Sequence, residues 1–202
     1  MKKTIFKCPS PVAEKLMQQD PALIPLLSKP HEITVLLEEN PFVFLVETII
    51  GQQLSTKAAD AIRQRLNDRL NNKITPEQIL ELPIDELRAL GVSGPKINYM
   101  QSLARMVINQ EIDFKAFPTL TDQEVIHELI KIKGVGIWTA QMYLLFVLNR
   151  PDVFSSGDLG LRESLKKLLN KPDMTLKEVE EHSLKWQPYR TFVSHFLWHH
   201  WD

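Results

Sequence analysis

The sequence predicts an all-α protein. Start signals for helices recur along the 202 residues, and no convincing stretch alternates polar and apolar residues as a β-strand would. Two segments fit the capping box, in which a threonine and a glutamate three residues later each accept a hydrogen bond from the other's backbone: Thr121–Glu124 and Thr175–Glu178. Together these features predict a bundle of about ten short helices.

The start signals also place the individual helices. Asn40-Pro41 offers an N-cap and a proline in the first helical position, followed by an apolar run. A helix from Pro83 should end before Gly91, because glycine readily adopts the conformation that terminates helices. The other predicted starts are Ser55, Thr75-Pro76 and Gly94-Pro95.

Composition narrows the class of protein. Hydrophobic residues make up 44% of the chain and charged residues 24%, as in globular proteins. The longest apolar run, 142–148, is far shorter than the roughly 20 residues that a membrane helix needs. The single cysteine, Cys8, excludes an intrachain disulfide and a four-cysteine iron–sulfur cluster. The net charge of −1 gives no sign of nucleic-acid binding, although it does not exclude local basic patches.

The most informative segment is 129–140, Leu-Ile-Lys-Ile-Lys-Gly-Val-Gly-Ile-Trp-Thr-Ala. One helix should end near Ile132 and the next should begin near Ile137. Gly134 and Gly136 permit a tight reversal, and their amides would lie at the positive end of the second helix, which favours an anion. Lys131 and Lys133 flank the turn. A DNA phosphate would fit here without any base being read. An ordinary helix–turn–helix corner is the alternative.

This segment resembles the hairpin of the helix-hairpin-helix DNA repair glycosylases. That family carries one aspartate in a loop shortly after the hairpin, and Asp158 matches it. A fixed carboxylate would stabilise the positive charge that builds on the deoxyribose as the base departs, and it could orient the attacking water. Asp158 could instead act solely as the N-cap of a helix that starts at Leu159.

The resemblance extends from about residue 35 to the end of the chain. Segment 44–55 is similar to the turn that alkylation-type members insert into the duplex, with Gln53 and Leu54 as the wedge. A polar turn between helices is the alternative. The resemblance also implies a base pocket made of four residues: Trp138, Met142, Tyr99 and Trp186.

Departures from the family pattern refine the prediction. Bifunctional members have a lysine that forms a Schiff base with the sugar, at the position where this chain has Trp138, so strand cleavage is not expected. The indole of Trp138 suits a cationic, alkylated base, although a core role is the alternative. Met142 stands where the better-known relatives have an aromatic residue. His195 and His199 have the spacing of a metal-binding pair, but the neighbouring tryptophans favour a packed helix instead.

By resemblance, the fold should comprise two helical lobes with a cleft between them. Residues 38–143 would form the lobe with the hairpin, and 1–37 plus 144–202 the lobe with the catalytic aspartate, without the extra N-terminal domain of the longer 3-methyladenine glycosylase II type. The implied activity is monofunctional removal of alkylated purines from double-stranded DNA in base excision repair. Two alternatives are a glycosylase for uracil, hypoxanthine or a mispaired base, and a DNA-binding module without catalysis.

The resemblance also sets expectations about cofactors and partners. The backbone carbonyls of Ile130, Ile132 and Val135 are expected to hold a monovalent cation that bridges to the phosphate, and no other cofactor is expected. We expect a monomer without a membrane partner. Its location would be the cytoplasm, on the nucleoid, in a bacterium, or the nucleus in a eukaryote.

Overall fold

The computed structural model describes residues 2–201, and for Trp201 the backbone alone. Within that range the chain forms twelve α-helices and a two-stranded sheet. It divides into two compact units, one running from Asn40 to Tyr143 and the other combining the residues up to Glu39 with those from Leu144 onward. None of the described helices is long and apolar enough to span a membrane.

The unit 40–143 consists of helices around a core of aliphatic side chains, among them Leu45, Ile49, Leu87 and Leu103. Helix α7 packs against α3, α5 and α6. The helices of this unit are α3 Pro41–Gly51, α4 Thr56–Arg69, α5 Pro76–Glu81, α6 Ile84–Ala89, α7 Gly94–Ile108, α8 Asp122–Leu129 and the greater part of α9 Ile137–Phe146.

The other unit contains strands β1 Lys2–Cys8 and β2 His31–Leu37 and helices α1 Pro11–Gln19, α2 Ile24–Leu27, α10 Leu159–Leu169, α11 Leu176–Ser183 and α12 Arg190–Trp201. Its core brings α10 and α12 together through Leu161, Leu165, Val193 and Leu197. Each such fully buried aliphatic side chain contributes about 1.5–3 kcal/mol through its removal from water.

The helix starts follow the sequence signals. Asn40 accepts hydrogen bonds from the amides of Phe42 and Val43, and Ser55 accepts one from Ala58. Both predicted capping boxes are formed. Gly91, two residues after the end of α6, has a φ of +100°. Its left-handed conformation ends the helical segment. These predictions are confirmed. The sequence could predict each feature because the residues that form it lie within one turn of one another.

The all-α fold class is confirmed, but the described chain also forms one small two-stranded sheet that the sequence pattern did not reveal. β1 and β2 pair antiparallel, with Lys3 opposite Leu36 and Lys7 opposite Glu32. The outward face of the sheet carries the exposed side chains of Ile5 and Leu36. Apolar residues therefore occupy both faces of the sheet, which obscures the alternation by which a half-buried strand is recognised.

Candidate active site

The hairpin lies between α8 and α9. Helix α8 ends at Leu129, slightly before the predicted Ile132, and the amide of Val135 donates to the carbonyl of Ile132 at 2.9 Å. Ile132 is 1% exposed, so its side chain anchors the turn in the unit's interior. Helix α9 begins at Ile137 as predicted, with the carbonyl of Gly136 accepting from the amide of Ala140.

Packing explains the glycine at only one of the two hairpin positions. Gly134 has a φ of +87°, and a Cβ added there would lie 2.6 Å from Cγ of Tyr99. The fold therefore requires glycine at this position. Gly136 has no left-handed φ, and a Cβ added there would meet no atom within 4 Å. Nothing in the packing accounts for glycine at 136, whereas close approach of a ligand to the backbone would.

The hairpin lysines are both exposed. Lys131 forms an ion pair with Glu128 at 2.6 Å across one helical turn. A surface pair of this kind contributes little to stability, and its lysine can exchange partners when a phosphate approaches. The phosphate-binding role of Lys131 and Lys133 stays a prediction.

The predicted wedge residues lie on the tight turn between α3 and α4. Gln53 has a φ of +56° and is exposed, and Leu54 is 39% exposed. Left-handed backbone is uncommon for a residue with a Cβ and persists where surrounding contacts determine it. Those contacts include the amide of Leu54, which donates to the carbonyl of Gly51.

Sequence reasoning missed two residues that brace this turn. The ammonium of Lys96 donates to the carbonyls of Ile50, at 2.8 Å, and Gln52, at 2.7 Å. The side chain of Gln52 donates from Nε2 to the carbonyl of Gly134 at 2.8 Å. No sequence signal identifies these contacts, because each joins positions more than forty residues apart.

Asp158 is the N-cap of α10, as the sequence suggested. Its Oδ1 accepts hydrogen bonds from the amide of Leu161, at 3.0 Å, and from Nε1 of Trp198, at 2.9 Å. Trp198 stacks on Phe146, with ring centroids 5.9 Å apart. The carboxylate is thus oriented by a helix start and by an indole that is itself held by packing. The role of Trp198 was not predicted from sequence.

The residues assigned to the base pocket have different surroundings. Trp138, in the first turn of α9, is 43% exposed, so the alternative that it is a core residue is wrong. Met142 is 5% exposed, which makes its side chain largely inaccessible. The ring of Tyr99 lies against Gly134, where it supports the hairpin.

The assignment of Trp186 to the base pocket is corrected. Trp186 is fully buried in the core of its unit. Its Nε1 donates to Oδ2 of Asp20 at 2.9 Å, and Phe154 packs edge-on against the ring. Because neither face of the indole reaches solvent, it serves as a structural residue instead.

The histidines of α12 pack among aromatic rings. His195 is 6% exposed and contacts Phe6, Phe146 and Trp198. His199 lies beside His31, with ring centroids 4.4 Å apart. Within residues 2–201, no group of three or more His, Cys, Asp or Glu side chains has the geometry to hold a metal ion.

The hairpin, the turn bearing Gln53 and the capping aspartate together define a helix-hairpin-helix glycosylase fold. Residues 46–188 match the family described as HhH-GPD superfamily base excision DNA repair protein. The chain belongs to this superfamily.

Individual relatives agree with that assignment. The chain is 36% identical to DNA-3-methyladenine glycosylase 1 of Schizosaccharomyces pombe over 165 residues, which covers 80% of this chain and 72% of that protein. A DNA-3-methyladenine glycosidase structure from Bacillus halodurans superposes with a TM-score of 0.88 at 34% identity, covering 98% of this chain and 93% of that one. The S. pombe 3-methyladenine DNA glycosylase in complex with abasic DNA gives a TM-score of 0.81 at 31% identity, covering 94% and 95%.

Proposed function

We propose that this protein is a monofunctional DNA glycosylase of base excision repair that hydrolyses the N-glycosidic bond of alkylated purines. The observation that carries the proposal is the fixed carboxylate of Asp158, held by Leu161 and Trp198, in a chain of this superfamily. Relatives named DNA-3-methyladenine glycosylase support the substrate class.

Asp158 acts on the sugar. Cleavage of the bond between deoxyribose and base builds positive charge at the sugar, which a preorganised anion stabilises at no reorganisation cost. The same carboxylate orients or deprotonates the attacking water. Both oriented hydrogen bonds to Oδ1 restrict the carboxylate to one position, so the anion is in place before the bond lengthens.

Trp138 acts on the base. A purine methylated at N3 or N7 carries a positive charge, and an indole face attracts such a ring. The charge also makes the base a good leaving group, so no acid is needed to protonate it. A damaged base costs less to turn out of the duplex than an intact one.

The hairpin and the wedge turn bind the DNA. The amide of Gly136 and the lysines 131 and 133 would contact a phosphate without reading sequence, while Gln53 and Leu54 fill the space that the base leaves. A monovalent cation would be held by the carbonyls of Ile130, Ile132 and Val135. Carbonyl oxygens are suitable ligands, and that of Ile132 keeps a second lone pair beyond its bond to Val135.

The test is a base-release assay on duplexes that contain 3-methyladenine or 7-methylguanine, with Asp158→Asn as the matched variant. Asparagine is an equally good N-cap and still accepts from Leu161 and Trp198, so only the charge is lost. We expect the wild type to release the methylated base and leave the strand intact. The variant should bind DNA normally and lose about a hundredfold or more in rate.

Other outcomes are equally informative. Release of uracil or hypoxanthine with methylated purines untouched would contradict the substrate class. Binding without release of any base would identify a DNA-binding module. An adduct trapped by borohydride would show that the enzyme is not monofunctional.

A further inference from the structure

The ammonium group of Lys96 binds to the protein backbone. Lys96 lies in the first turn of α7, and its ammonium donates to two backbone carbonyls, those of Ile50 and Gln52, at 2.8 and 2.7 Å. Partial burial lowers the pKa of this ammonium below that of an exposed lysine. Both acceptors lie at the end of α3, where carbonyls lack intrahelical partners and the helix dipole favours a cation. Lys96 therefore caps α3 from a different helix.

The capped end of α3 leads directly into the wedge turn. Gln52 is the C-cap of α3, and Gln53 follows it in the left-handed conformation. A cation bound to the carbonyls at 50 and 52 fixes the backbone from which Gln53 and Leu54 project. Lys96 thus acts on the wedge without any direct contact with DNA being required.

Two more contacts reach the hairpin, one from this turn and one from α7. Nε2 of Gln52 donates to the carbonyl of Gly134 at 2.8 Å. Tyr99, one turn after Lys96 on the same face of α7, lies so close to Gly134 that no Cβ would fit there. The start of α7, the wedge turn and the hairpin are therefore linked pairwise, each to the other two. We call this arrangement the Lys96 brace.

We infer that Lys96 is a positioning residue that holds the wedge turn at a fixed offset from the phosphate-binding hairpin, so that binding the phosphate drives the wedge into the duplex. This inference rests on the proposed function. Binding energy from a remote contact can offset the cost of base eversion when the protein couples the two sites rigidly. Within the brace, the two hydrogen bonds from the Lys96 ammonium to the turn are charge-assisted, and such bonds are stronger than neutral ones.

The experiment compares paired and unpaired lesions under single-turnover conditions. One duplex carries 7-methylguanine opposite cytosine, and the other carries it opposite an abasic analogue, where eversion costs less. We expect Lys96→Met to release the paired lesion about tenfold more slowly than wild type and the unpaired lesion at nearly the wild-type rate. Lys115→Met removes an exposed lysine of the same unit and should behave as wild type on both.

A second variant keeps the inference testable if Lys96→Met folds poorly. Gln52→Met removes the hydrogen bond to Gly134 but keeps the backbone carbonyl that Lys96 binds. It should show the same selective loss on the paired lesion. An equal loss on both substrates, or no loss on either, would overturn the inference, because a residue that only supports the fold affects both alike.

A measurement that does not depend on base release separates this inference from the proposed function. Hydrogen exchange in the free protein should speed up at the amides of 52–54 in Lys96→Met while the core amides of α7 keep their protection. If the wild type releases no methylated base, the proposed function fails, and the exchange pattern still decides whether Lys96 holds the turn. Unchanged exchange at 52–54 would contradict the brace.

Discussion

In the proposed mechanism, Asp158 combines a structural and a chemical task in one carboxylate. The bond to Leu161 starts α10, and the bond from Trp198 sets the orientation of the group. Gly160 makes room for this arrangement, since a Cβ there would approach both Asp158 Oδ1 and Trp198 Cδ1 to 3.3 Å. The glycine therefore has a packing reason beside the proposed active site. His195, which also contacts Trp198, should make the stability of the protein depend on pH.

Burial lowers the pKa of His195 from 6.5 to about 4. The folded protein keeps this imidazole neutral, whereas the unfolded chain takes up the proton near its ordinary pKa. As the pH falls from 6.5 to 4, the unfolded state binds more protons, so this group should lower the free energy of unfolding by about 3 kcal/mol. Denaturant titrations across that range should show a flatter pH dependence for His195→Phe than for the wild type.

The exposed His127 provides the control for this prediction. His127→Gln should keep the wild-type pH dependence, because it replaces an exposed side chain outside the core. A pH dependence that is the same for His195→Phe and for the wild type would show that another group causes the acid sensitivity.

At the scale of elements, the hairpin separates what the fold needs from what binding needs. Gly134 is fixed by its left-handed backbone and by Tyr99, whereas the position of Gly136 is open. The two glycines look equivalent in sequence, but their substitution should have different consequences.

Gly134→Ala should lower the free energy of unfolding by about 1–3 kcal/mol, because the methyl group would clash with Tyr99 in a strained conformation. Gly136→Leu should leave stability nearly unchanged and weaken binding about tenfold, to damaged and undamaged duplexes alike, since its side chain would keep a phosphate from the backbone amide. Thermal unfolding and fluorescence anisotropy measure the two effects.

Gly94→Leu is the matched control, because this glycine also starts a helix in open space. It should leave DNA affinity nearly unchanged. If Gly136→Leu binds DNA as tightly as the control does, the hairpin is an ordinary corner between helices.

At the scale of the whole molecule, a net charge of −1 accompanies a DNA-binding role. A global balance of this kind is compatible with local phosphate contacts, because backbone amides at helix starts add nothing to the charge count. Charge composition thus bears on solubility and steering more than on whether a binding site exists.

DNA affinity should therefore fall steeply with salt in spite of the net charge, because each phosphate contact made by a cation releases counterions. The logarithm of the binding constant should decline linearly with the logarithm of salt concentration, and Lys133→Gln should reduce the slope by about one. Lys115→Gln should leave the slope unchanged. Affinity independent of salt would contradict a phosphate-based interface.

The sequence by itself determined the features that depend on neighbouring residues. The caps at Asn40, Ser55 and Asp158, both capping boxes and the start of α9 were all predicted, since a side chain reaches backbone amides only two or three positions away. The hairpin could be identified for the same reason, because its glycines and lysines lie within one short segment.

The tertiary structure alone decided the features that join distant positions. Pairing of β1 with β2, burial of Trp186 against Asp20, the bond from Trp198 to Asp158 and the contacts of Lys96 all connect residues that are far apart in the chain. A tryptophan looks the same in sequence whether its indole faces a base or a buried carboxylate. Which partner it meets depends on how the helices pack, because a buried indole N–H must bond to an acceptor that the packing brings to it.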